Sequence, residues 1–147
     1  MVDRITSDKI TKLKGLEVFV FGSNEAGIHG AGAAKAAIKW GAVFGVGFGL
    51  SAMAYAIPTK DMNIETLPLR AIKFYVDMFI EDALVYTEYT FLVTEIGCGL
   101  AGYTPEDIAP LFKEAALIPN IHLPEKFWAV LNANTILHEE DDYNARA

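Results

Sequence analysis

The sequence has little of what disulfide-stapled, metal-bound and nucleic-acid-gripping proteins need. Its one cysteine, Cys98, cannot close an intramolecular disulfide, and three scattered histidines (His29, His122 and His138) have no metal-ligand spacing, so no metal site is expected. Twelve lysines and arginines face nineteen acids, a formal net charge of −7, which argues against holding nucleic acid through bulk charge. The amino terminus MVDRITSDK lacks an apolar stretch that would serve as a secretory signal, and a cytoplasmic location is expected. Low complexity is confined to the end, HEEDDYNARA. From Glu139 onward four acids less one arginine supply −3 of the −7, so the body is only mildly acidic. With 147 residues, 52% of them hydrophobic, the chain can bury one core and is short of two. One domain over 1–138 and an acidic tail over 139–147 are expected.

Charge is also missing from Trp40 to Thr59, WGAVFGVGFGLSAMAYAIPT. About twenty such residues can span a bilayer, and Gly41, Gly45 and Gly49 repeat as small-xxx-small. Gly47 and Pro58 interrupt the run, and Ala54 to Ile57 reads as a buried strand. The run is therefore read as core and Gly-rich turn, with no membrane partner.

What is present is glycine in clusters. Of twelve, eight fall between Gly22 and Gly49 and three between Gly97 and Gly102. Around them segments alternate. LEVFVFG (16–22), AMAYAIP (52–58) and YTFLVTEI (89–96) read as strands. GAGAAKAAIKW (30–40) reads as a helix packed closely on a sheet. LPLRAIKFYVDMFIEDAL (67–84) places Leu69, Ile72, Val76, Phe79, Ile80 and Ala83 at helical spacing. Thr104-Pro105-Glu106-Asp107 is a cap that opens a helix in which Pro110 predicts a kink, and Leu123-Pro124 precedes a last helix carrying Phe127, Trp128 and Leu131. The alternation predicts an α/β domain, helices on both faces of a parallel or mixed sheet.

Both glycine clusters follow a strand and lead into a helix, where ligands of such sheets bind. Backbone N–H groups at that place hold anions without lysine, so two loops on one crevice suit a ligand with two linked phosphates. Gly27-xxxx-Gly32 begins like a P-loop, but Ala33 and Ala34 stand where lysine and a hydroxyl are needed. Gly97-Cys98-Gly99-Leu100-Ala101-Gly102 matches GxGxxG, but the helix start at Thr104-Pro105 leaves all three glycines outside the helix. An NAD-binding Rossmann-like oxidoreductase stays as a second alternative.

SDKITKLKGLEVFVFGSNEAGIHGAGAAKAAI resembles the opening of a macro domain, the ADP-ribose-binding fold, and FLVTEIGCGLAGYTPEDIAPLF resembles its second phosphate loop. Pro58-Thr59-Lys60 with Gly97-Cys98-Gly99-Leu100 looks most like the branch of terminal ADP-ribose glycohydrolases and antitoxins that remove ADP-ribose from DNA. The resemblance implies a three-layer α/β/α fold with a mixed central sheet and an ADP-ribose-like small-molecule ligand. It assigns Asp8 to the adenine amino group, Asn24 to the distal ribose, and Gly30, Ala31, Gly32 and Ala33 to that ribose and a phosphate. It assigns Gly97, Cys98, Gly99, Leu100, Ala101 and Gly102 to the diphosphate, with Tyr103 the aromatic that follows.

Two departures bear on chemistry, because Ala34 and Ala101 occupy positions where hydrolases of the family carry aspartate. What remains is Lys60, with Asn24 beside it as a second catalytic candidate. The lysine amine would open the ribose through a Schiff-base-type adduct on an ADP-ribosylated macromolecule, and no cofactor is implied. A surface lysine ending a strand beside Asp61 is the plainer reading of Lys60, and a turn residue that of Asn24. A depressed Cys98 thiol and a small residue that lets a ligand approach are both open, as are core and stacking roles for Tyr103 and Phe48 and a loop hydrogen bond for His29. A non-catalytic nucleotide-metabolite sensor is the first alternative function.

Overall fold

The two central strands alternate in side-chain size, and that sets how they pack. The computed structural model describes residues 3–134; the tail at 139–147 and His138 lie outside them. Strand β2 (Glu17–Asn24) pairs in parallel with β4 (Ala54–Lys60), setting Phe19 beside Ala54, Val20 beside Tyr55 and Phe21 beside Ala56. Large beside small on each face fills the sheet surface evenly. Because successive side chains point to opposite faces, Val18, Val20, Tyr55 and Ile57 enter one buried cluster while Phe19, Phe21, Ala54 and Ala56 enter the other.

Helix α1 (Gly32–Ala37), continued by a 3-10 turn over Ile38–Trp40, covers the second face. Its buried side chains are Ala34 and Ala37, so it can sit close against Phe19 and Phe21. Helix α2 (Leu69–Val85) covers the first face with Ile72, Val76, Phe79, Ile80 and Ala83, the periodic positions of the sequence, while Leu69 is only partly buried. Tyr55, fully buried, donates its hydroxyl to Asp82 of α2 at 2.5 Å. Burial first, then that carboxylate, hold its phenol far above the ordinary range.

Short strands complete the sheet: β1 (Ile5–Thr6), β3 (Gly49–Ser51), β5 (Thr90–Val93) and β6 (Ile121–Pro124). The order is β1-β6-β5-β2-β4-β3, parallel throughout except for β3, which runs antiparallel to β4. The protein is thus a three-layer α/β/α fold on a mixed sheet. Helix α3 (Pro105–Ile108) starts from the complete Thr104–Asp107 capping box, with Pro105 in its first turn. Just ahead of Pro110 the helix gives way to 3-10 geometry over Ala109–Leu117, with non-helical backbone at Phe112. Helix α4 spans residues 125–134 and buries Phe127, Trp128 and Leu131.

The uncharged run divides into the 3-10 turn, a loop, β3 and β4, and among the described residues no helix is long and apolar enough to cross a membrane. Only part of it is core, since Val43 and Phe44 are exposed. The β3–β4 turn holds Ala52 at φ +50°, the left-handed region that L side chains avoid. Ala52 is exposed, so Ala52→Gly is expected to stabilise the protein by about 1 kcal/mol. A higher urea midpoint at unchanged slope is the readout, and an unchanged or lower midpoint would contradict the turn strain.

Candidate functional site

Both glycine loops leave carboxyl ends of adjacent parallel strands, β2 and β5, and the two line one cleft of about 380 Å³. They come near each other at the strand ends, where a Cβ on Gly22 would lie 3.6 Å from the backbone nitrogen of Gly97. The first loop contributes Ile28, Gly30, Ala31, Gly32, Ala33 and Ala34, and the second Ile96, Gly97, Gly99, Leu100 and Ala101. Helix α1 has Ala31 as its N-cap, which offers no side-chain acceptor, so its first-turn amides have no partner from that side. Among the described residues, the amides of Gly99, Leu100 and Ala101 likewise make no hydrogen bond. Free amides of this kind suit an anion.

A break in register shapes the cleft floor. Ser23 is opposite Pro58 but Asn24 is opposite Lys60, so one extra residue, Thr59, bulges out of the ladder. Strict alternation would bring only one of Thr59 and Lys60 to the cleft side, whereas the bulge brings both. Thr59 Oγ1 donates to the Ser23 carbonyl at 3.2 Å. The Lys60 backbone is pinned on two sides: its carbonyl accepts from Glu25 N–H at 2.9 Å, and it bridges to Thr66, whose hydroxyl donates to the Ala101 carbonyl at 3.0 Å. Glu25 is itself held by the Tyr75 hydroxyl, and that hydrogen bond, more than burial, pushes the Tyr75 phenol up to about 12.

The first loop rests on the uncharged segment. Ser23 Oγ donates to the Gly47 carbonyl, Gly45 N–H donates to the Gly27 carbonyl at 3.0 Å, and buried His29 Nε2 lies 3.0 Å and 3.2 Å from the Val43 and Val46 carbonyls. Two carbonyl partners make Nε2 the protonated nitrogen, so His29 braces the loop, and the segment around Gly47 is a buttress for it.

The assigned residues divide. Asn24 lines the cleft, but its side chain is committed at both ends, accepting from Ile28 N–H at 2.9 Å and donating to Ile28 carbonyl at 2.8 Å. Asp8 lies in an adjoining cavity of about 400 Å³, with Thr6, Ser7, Lys9 and Ile10. The hydroxyl oxygen of buried Thr6 has no partner there among the described residues. Cys98, Gly102 and Tyr103 do not line the cleft. Tyr103 donates its hydroxyl to the Leu67 carbonyl at 2.6 Å and packs on the core, as Phe48 does against Tyr55 and Tyr75. The Cys98 thiol is not depressed: burial first, then Glu95, Asp107 and Glu106, push it up to about 11, and Lys126 opposes them.

Thr59, Ile64, Thr94 and Glu95, none of them assigned to the site by the sequence pattern, also line the cleft. The apolar pattern places Glu95 in a strand running to Ile96, whereas β5 ends at Val93. Its place directly before Ile96-Gly97 was the signal available. Lys60 and Glu95 are the two titratable side chains of the cleft among the described residues. Compared with family models, curated proteins and solved structures, the chain matches none of them.

Proposed function

We propose that the chain binds ADP-ribose, or a related ADP-ribosyl nucleotide, across the two adjoining cavities, and that Lys60 removes ADP-ribose from a modified macromolecule. The observation that carries the reading is the convergence of two glycine loops with free amides on one cleft that continues into a second cavity bearing Asp8. The diphosphate would lie against the amides of Gly99, Leu100 and Ala101, and the adenine would direct its amino group to the Asp8 carboxylate, a pure acceptor. The distal ribose would then face the first loop and Lys60. Attack of the Lys60 amine on the anomeric carbon would expel the modified group and open the sugar as a Schiff base, and water would release ADP-ribose. The lone unbridged cysteine fits a cytoplasmic location.

Isothermal titration with ADP-ribose is expected to show one site with micromolar affinity, about −8 kcal/mol. Absence of heat and of thermal stabilisation at millimolar nucleotide would sink the reading. Stabilisation by AMP or NAD in preference to ADP-ribose would favour the metabolite sensor instead.

A further inference from the structure

The glycine loop that best suits an anion carries an acid beside it. Glu95 immediately precedes Ile96-Gly97, its side chain is about a third exposed (34%), and among the described residues its ion-pair partner is Lys126, Nζ at 3.7 Å from Oε1. Its field reaches the loop, since it is one of the groups that raise the Cys98 thiol. A carboxylate there opposes any phosphate close to it, so a phosphate-binding role does not account for its position. Its place between the cavities does. Glu95, Thr94 and Ala33 line both the cleft and the adjoining cavity that holds Asp8. A nucleotide that spans the two must pass over them, and the part between its base and its phosphates is the ribose.

We infer that Glu95 is a specificity-determining residue, accepting hydrogen bonds from the 2′- and 3′-hydroxyls of the adenosine ribose at this junction and excluding a phosphate ester there. This rests on the ADP-ribose reading and narrows it. An ionised carboxylate has two oxygens and only accepts, so it matches a vicinal diol and has nothing to offer a phosphate. Lys126, which is more exposed than Glu95, pairs with the carboxylate without a hydrogen bond, so the carboxylate's acceptor capacity is left for a ligand.

The test titrates wild type, Glu95→Gln and Glu95→Ala with ADP-ribose and with its 2′-phosphate, after circular dichroism has shown all three to be folded. Wild type is expected to prefer ADP-ribose by roughly tenfold or more. Glu95→Gln keeps shape and acceptor oxygen but loses the charge, so it should bind the 2′-phosphate more tightly and shrink the preference to about threefold or less. Glu95→Ala should weaken ADP-ribose by about tenfold, the loss of a charge-assisted hydrogen bond. If wild type binds ADP-ribose and both variants keep its affinity and preference, Glu95 does not read the ribose and the inference falls alone. If wild type binds neither nucleotide, the ADP-ribose reading falls and takes this inference with it.

Discussion

Gly47→Ala is expected to destabilise the protein by on the order of 3 kcal/mol and to weaken ADP-ribose binding at least tenfold. The added Cβ would lie 2.2 Å from the Asn24 carbonyl oxygen and 2.9 Å from that of Glu25. Those are backbone atoms at the end of a central strand and cannot swing aside as a flexible side chain would. Relief requires the 43–47 segment to move away, which breaks the Ser23 hydroxyl's bond to Gly47 and stretches the two carbonyl contacts of His29. Overpacking against fixed backbone costs about 1–3 kcal/mol, and the lost bonds to buried groups add to it. The binding loss follows because the first glycine loop would lose its support. Gly99→Ala is the comparison: a Cβ there meets nothing within 4 Å, so its stability should change by about 0.5 kcal/mol or less. Urea denaturation of both variants decides, and equal small effects would dismiss the buttress.

Lys60→Ala is expected to reduce release of ADP-ribose from a modified macromolecule by about a hundredfold or more. Binding of free ADP-ribose should stay within about threefold, since in the proposed binding mode the loop amides, not Lys60, hold the diphosphate. Lys60→Arg should not restore turnover, because a guanidinium stays protonated and cannot form the adduct. Borohydride added during turnover should reduce the Schiff base to a secondary amine, leaving protein that carries one ADP-ribosyl group by mass spectrometry in wild type and none in Lys60→Ala. Intact turnover in Lys60→Ala would remove Lys60 from the chemistry and leave the binding reading standing.

The α/β class was legible because it depends on local pattern. The α2 periodicity, the Thr104 capping box and the break at Pro110 each act within a few residues, and each is present. Strands β1, β3 and β6 span two to four residues, too few for a period to register, and they exist through pairing with distant partners. At the cleft, the two loops could be read from glycine spacing. The bulge at Thr59 could not, because it is a property of two strands and Pro58-Thr59-Lys60 lies on only one of them. The role of Gly41 to Gly47 was hidden for a similar reason. Glycine reports that something comes close without naming it: for Gly41 it is Ala52 in the β3–β4 turn, and for Gly45 and Gly47 it is the turn at Asn24 to Gly27.

The double pinning of Lys60 separates its backbone from its amine. The main chain is fixed by Glu25 on one side and by Thr66, through Ala101, on the other, while the amine rides on four methylenes. In the proposed reaction such a tether selects by arc rather than by outline. Any anomeric carbon that the loops present inside the sweep can be reached, whatever the sugar is attached to. Discrimination among macromolecular targets would then fall to the rim, where Ile28, Ile64 and Leu100 are exposed aliphatic side chains.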